Sequence, residues 1–137
     1  MAWVILDTNV YIGHWETGLY EGTLEAVRRA FVVRHSAVVL SELRRGARTR
    51  RSQRLVEDLY RLAKVLWEPS ASDWRQAAAL IRRLGDAHGW EIGKRRDFQN
   101  DVLIALTARR HGATLVTADR ADFALLAREV DVHVLPV

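Results

Sequence analysis

Two short apolar runs in this 137-residue chain each end on an aspartate. Trp3-Val4-Ile5-Leu6 runs into Asp7, and Thr114-Leu115-Val116-Thr117-Ala118 runs into Asp119. Runs this short, alternating with longer stretches of helical periodicity, read as strands of an α/β fold with a mainly parallel sheet. Ligands of such sheets bind beyond the carboxyl ends of the strands, and both aspartates should emerge at that edge.

The remaining elements follow from caps, breakers and apolar spacing. A strand over 2–6 should be followed by a short helix capped near Asp7 or Thr8. Gly18 to Gly22 reads as a turn, with Thr23 capping a helix to about Ala30. Val32 to Arg34 suits a short strand leading to Ser36, which caps a helix to about Ala47, with Gly46 near its end. Leu55, Val56, Leu59, Leu62, Ala63 and Leu66 follow helical spacing and predict a helix over 51–66. Ser70 or Ser72 should start the next helix, which stops before Gly89. A helix is expected over 97–111, stopped by Gly112, then a strand over 113–116, a short helix over 121–127 and a last strand over 132–135. The chain fits one domain, residues 1–137, large enough for a single core.

Composition removes several classes of function. With no cysteine there is no disulfide, thiolate zinc site or thiol nucleophile. His14, His35, His88, His111 and His133 lack zinc-like spacing. Gly85, Gly89 and Gly93 lack the order of a nucleotide-binding loop, so no organic cofactor is expected. The first apolar stretch has no basic run before it, which is unlike a secretory signal. No apolar run approaches the roughly 20 residues of a membrane span. A cytoplasmic protein with no membrane partner is the expectation. Trp3, Trp67 and Trp74 are assigned to the core or an interface, and Trp15 and Trp90 to loops where they could meet a partner.

The acids carry the functional signal. Besides Asp7 and Asp119, Glu42 borders an apolar stripe, lying beside Leu43 and four residues after Val38. Asp101 starts the almost wholly apolar stretch Val102–Leu106. Taken singly, each could be a cap or a charge favoured at a helix N-terminus. Acids are rarely buried unless paired or metal-bound, and four such coincidences in a small domain are much rarer than one. Acids gathered in one place need a cation, and oxygen donors suit Mg²⁺ or Mn²⁺. The net charge is +4, from 21 Lys and Arg against 17 Asp and Glu. Arg44, Arg45, Arg48, Arg50, Arg51 and Arg54 crowd into eleven positions, and Lys94, Arg95 and Arg96 form a second cluster. Such patches suit either a polyanion approaching the metal or a solvated helix face.

These residues resemble the motifs of the PIN domain. Asp7-Thr8-Asn9 is similar to its opening motif, and Ser36-Ala-Val-Val-Leu-Ser-Glu42-Leu-Arg-Arg-Gly46 to its second. Asn100-Asp101-Val-Leu-Ile-Ala105 resembles the third, and Leu115-Val116-Thr117-Ala118-Asp119-Arg-Ala-Asp122-Phe123 the fourth. Order, spacing and length look most like the VapC toxins of bacterial toxin–antitoxin pairs. The resemblance implies a three-layer α/β/α fold around four to five strands. It implies a metal-dependent endoribonuclease in which Asp7, Glu42, Asp101 and Asp119 are catalytic and hold Mg²⁺ or Mn²⁺. Thr8, Asn9, Thr117, Asp122 and Asp97 would support them, with Asp122 able to exchange roles with Asp119, and Arg44, Arg45, Arg48 and Arg51 would bind RNA. It further implies a homodimer and a small VapB-like antitoxin docked near Arg51 to Leu66.

Three rivals stay open from the residues alone, one of them an interaction partner that titrates an antitoxin or operator complex. A non-catalytic PIN-like module that binds RNA or protein would gain nothing from acids that repel phosphate. A phosphatase with a strand-end aspartate as nucleophile commonly uses a second aspartate two positions on, where this chain has Asn9.

Overall fold

A computed structural model describes residues 2–137. The order of elements is β1 (Trp3–Leu6), α1 (Thr8–Thr17), α2 (Glu21–Ala30), β2 (Val32–Ser36), α3 (Ala37–Gly46) and α4 (Arg50–Leu62). There follow β3 (Leu66–Trp67), α5 (Ala71–His88), α6 (Ile92–His111), β4 (Thr114–Thr117), α7 (Arg120–Glu129) and β5 (Val134–Pro136). The strands form one five-stranded sheet in the order β3-β2-β1-β4-β5, and every pairing is parallel.

Parallel strands need crossovers, and right-handed crossovers in this strand order put α1 to α4 on one face and α5 to α7 on the other. Packing largely follows that division, α5 on α6, α7 on α6, α1 on α3 and α3 on α4, with α3 also meeting α6 across it. The result is the α/β fold expected from the resemblance. The sheet is buried from both sides, which explains strands that are apolar rather than alternating. Val4, Ile5, Leu115 and Val116 have no exposed surface, and α6 adds Val102, Leu103, Ile104 and Ala105 in the same state.

Strand order reverses between β1 and β4, as the chain runs from β1 to β2 and β3 on one side and to β4 and β5 on the other. That switch point is where an open α/β sheet leaves a crevice at its carboxyl edge. Leu6 pairs with Val116 in the register, and the Asp7 N–H donates to the Val116 carbonyl at 2.8 Å. The ends of both strands are therefore locked side by side.

Three boundaries differ from the sequence reading. The helix expected over 51–66 stops at Leu62, and Leu66–Trp67 is instead an edge strand beside β2. Helical apolar spacing continued through Leu66 because both structures bury that residue against the same core. Helix α6 begins at Ile92, five residues before the expected start, behind Glu91 in an extended conformation. Its first turn is polar and basic, so the apolar period says nothing there. Helix α2 starts at Glu21 rather than after Thr23, behind Tyr20 in the left-handed region (φ 69°). Trp15 lies in α1 rather than in a loop, packed on Tyr11. Trp67 is buried, whereas Trp3 and Trp74 are exposed.

Candidate metal centre at the carboxyl edge of the sheet

Asp7 leaves β1 with extended backbone (φ −70°, ψ 159°) and caps α1, its Oδ1 accepting from the Thr8 N–H at 2.8 Å. Its Oδ2 accepts from Thr117 Oγ1 at 2.9 Å. The residue is only 3% exposed. Burial pushes its carboxyl up to about 6, with the Thr117 and Thr8 bonds opposing and the charges of Glu42 and Asp119 adding to the rise.

Thr8 turns its hydroxyl to the neighbouring element and donates to Glu42 Oε1 at 2.8 Å. Glu42 is half-buried on α3, whose start Ser36 fixes by accepting from the Val38 and Val39 N–H groups. One turn of chain after β1 thus orients two carboxylates from different elements.

Asp119 caps α7, accepting from the Asp122 N–H at 3.1 Å, while its own N–H donates to Thr117 Oγ1 at 3.0 Å. Asp101 projects from α6, and one carboxylate oxygen each of Asp101, Asp119 and Asp122 lies within 4.8 Å of the others. Burial, and then the charges of Asp7, Glu42, Asp122 and Asp119, push the Asp101 carboxyl up to about 8. Five acids from four places in the chain, the last pair on α7, therefore act on one crevice.

The trio contains Asp122 but not Asp7 or Glu42, which bond instead to Thr117 and Thr8. Asp119 and Asp122 are both present, one reaching the trio from the cap of α7 and the other from its first turn. Asn9 and Asp97 are exposed to solvent. Among the four arginines, Arg44 is paired with Glu57 at 2.5 Å and lies over Tyr60 at 5.0 Å. Arg51 donates to the Trp15 carbonyl at 3.0 Å. Arg48 lines a cavity of about 580 Å³ that reaches Glu42, between Ile12, Trp15, Leu43 and Val56. Arg45 lines another, of about 370 Å³, with Ser41, Trp74 and Asn100.

The one base in a salt bridge with these acids, among the described residues, is Lys94, whose Nζ donates to Asp122 Oδ1 and Oδ2 at 3.1 and 3.2 Å. The sequence reading placed it only in a basic cluster, because it began α6 at Asp97. The signal was present: Lys94, Phe98 and Asp101 are spaced i, i+4, i+7 on one helix face.

The donors on offer are carboxylate oxygens, the ligand type of Mg²⁺ and Mn²⁺, and two of them are held in an environment that disfavours their charge. Such a donor set suits a hard divalent cation, and Asp101, Asp119 and Asp122 are the acids whose oxygens come within 4.8 Å of one another.

A family model described as PIN domain matches residues 4–129. Among solved structures, the chain resembles VapBC2 from Rickettsia felis bound to a DNA fragment from its promoter. Identity there is 22%, 98% of each chain is covered and the TM-score is 0.68. VapBC-1 from nontypeable Haemophilus influenzae matches at 23% identity over 98% of this chain and 97% of that one, also with TM-score 0.68. VapBC-5 from Mycobacterium tuberculosis, of the VapBC family of toxin-antitoxin systems, matches at 24% identity over 100% of both chains, with TM-score 0.62. At these identities the structural likeness speaks for the fold. No curated protein matches the chain.

Proposed function

The chain belongs to the PIN domain family, and we propose that it is a metal-dependent endoribonuclease, the toxin of a type II toxin–antitoxin pair. The observation that carries this reading is the convergence of Asp7, Glu42, Asp101, Asp119 and Asp122 at the switch point of a parallel sheet. A crevice so acidic repels a phosphodiester unless a cation offsets it, which argues against a module that only binds RNA.

Asp7, Glu42, Asp101 and Asp119 would hold Mg²⁺ or Mn²⁺. Such an ion, when bound, supplies charge stabilisation to phosphoryl oxygens and lowers the pKa of water. The chain's own residues do the positioning. Thr117 fixes Asp7 against Asp119, and Thr8 fixes Glu42, so the carboxylates meet substrate with their rotamers already set. Burial of Asp7 lowers the local dielectric, which strengthens each electrostatic contact it makes. Water adds to phosphorus and the bond to the 3′ oxygen breaks, leaving a 5′-phosphate and a 3′-hydroxyl. Arg48, in a cavity with Glu42, and Arg45, in a cavity with Asn100, steer the RNA backbone; Arg44 and Arg51 already have partners.

The protein works as a homodimer and is neutralised by a small cognate antitoxin. The cavity between α1, α3 and α4 supports a docking place for it, because apolar walls there lead directly to Glu42. A segment with apolar side chains and one basic residue matches that combination. VapBC-5, one of the structural relatives, is described as belonging to a toxin–antitoxin system, which supports the assignment.

The test is cleavage of total RNA by purified protein with Mg²⁺, Mn²⁺ or EDTA, beside Asp7→Asn and Asp101→Asn. Discrete metal-dependent cuts, absent from both folded variants, support the nuclease. RNA binding that persists in EDTA and in both variants, with no cleavage, favours the binding module instead.

A further inference from the structure

The position of Lys94 is fixed by more than its acid partner. Its ammonium sits 5.3 Å from the Trp90 ring and 5.1 Å from the Phe98 ring, two faces that attract a cation. Those rings are themselves held. They pack edge-on at 4.9 Å, and Phe98 is 1% exposed. The Trp90 N–H donates to the Gly85 carbonyl at 2.8 Å, and Arg95 Nε donates to the Trp90 carbonyl at 3.0 Å. Arg95 lies so close over α5 that a Cβ on Gly85 would meet its Nε at 2.6 Å. The aromatic cradle, one ring from the α5–α6 connector and one from α6, is thus held against α5, and it delivers one positive charge to both oxygens of Asp122.

Resting on the reading of the crevice as a divalent-metal site, we propose that Lys94 is a tethered cation that withholds Asp122 from the metal. Asp122 lies within ligand distance of Asp101 and Asp119, so without Lys94 it would join them as a further donor. With both oxygens engaged by the ammonium, it enters the crevice as half of a neutral pair. Lys94 therefore sets the charge of the donor set and holds metal affinity down. It is a positioning residue, acting on the ion through Asp122.

The experiment is calorimetric titration of Mn²⁺ into the full-length protein, with thermal unfolding to confirm that each variant is folded. Lys94→Met keeps an apolar stem against Trp90 and Phe98 and removes the charge. It should tighten Mn²⁺ binding about tenfold or add a second binding event, the scale expected when one unit charge leaves a partly screened pocket. Lys94→Arg should stay near the wild type. In Lys94→Met/Asp122→Asn the gain should vanish, because the freed donor is gone. Unchanged or weaker binding by folded Lys94→Met would overturn the proposal. So would a gain that survives in the double variant, which would make Lys94 only a distant charge. If neither the wild type nor any variant binds Mn²⁺, the metal-dependent reading itself fails.

Discussion

Thr117 Oγ1 donates to Asp7 Oδ2 at 2.9 Å, joining residues 110 positions apart in the chain. The same hydroxyl accepts from the Asp119 N–H at 3.0 Å. Thr117 has no exposed surface, so one buried hydroxyl ties together the acids that end β1 and β4.

Thr117→Val keeps the shape and removes this tie. The chief influence opposing burial at Asp7 is lost, so its carboxyl should rise above about 6. Leaving buried partners unsatisfied costs about 1–3 kcal/mol. Urea unfolding at pH 8 should show that loss, and Mn²⁺ affinity at pH 7 should fall. Unfolding indistinguishable from wild type would show that water replaces the hydroxyl.

Asp101 sets a pH dependence in the metal-free protein. Its carboxyl is raised from 3.8 to about 8 on folding, so the folded state binds more protons than the unfolded one between those values. Stability contributed by this group is present below pH 4 and is lost as pH rises through about 8; Asp7 adds a smaller loss up to about 6. In EDTA, wild type should be less stable at pH 8.5 than at pH 6. Asp101→Asn should flatten most of that slope and be the more stable protein at pH 8.5, by about 2–5 kcal/mol. Equal slopes would acquit Asp101 of the effect.

Metal binding should carry the reverse sign. Ligands must be deprotonated before they coordinate, so Mn²⁺ affinity should increase by up to about tenfold per pH unit between pH 6 and 8. Calorimetry in two buffers of different ionisation enthalpy would count the released protons. Release near zero at pH 7 would contradict a protonated Asp101.

A buried acid outside the crevice provides a control. Asp73 is 2% exposed and is bonded by Arg110 and by the Ser70 N–H, which together outweigh burial and hold its carboxyl below the ordinary range. Arg110→Ala should cost about 1–3 kcal/mol, discounted because Arg110 is itself partly exposed. Its Mn²⁺ affinity should stay at the wild-type value. A parallel fall in affinity would mean that α5 and α6 transmit strain to the crevice.

RNA binding, measured on a non-cleaving Asp101→Asn background, should separate the arginines. Arg45→Ala and Arg48→Ala should each lower the salt slope by about 0.7. Arg44→Ala and Arg51→Ala should change it less, since Glu57 and the Trp15 carbonyl already occupy those guanidinium groups. Equal effects from all four would point to a diffuse field.

How much of this was legible depended on what each residue reports to its neighbours in sequence. Asp7 and Asp119 could be placed because an apolar run followed by a cap residue fixes both a strand and its exit. Lys94 could not, because a polar first turn has no apolar period to mark it as helix. Asp122 was seen as a possible exchange for Asp119, but their joint presence depends on the tilt of α7 against α6, which no local pattern encodes. The two-residue strand β3 escaped for a different reason: Leu66 and Trp67 pair with β2 through backbone, to which the side-chain pattern is blind.

The hydrogen bond between Thr117 and Asp7 has a consequence in time. Synthesis delivers Asp7, Glu42 and Asp101 before β4, the strand that sets Asp7. While residues near 117 are still inside the ribosome, the emerging polypeptide has no β4 to lie beside β1 and no finished crevice. The crevice is therefore incomplete until β4 has emerged, however early β1, α3 and α6 are made.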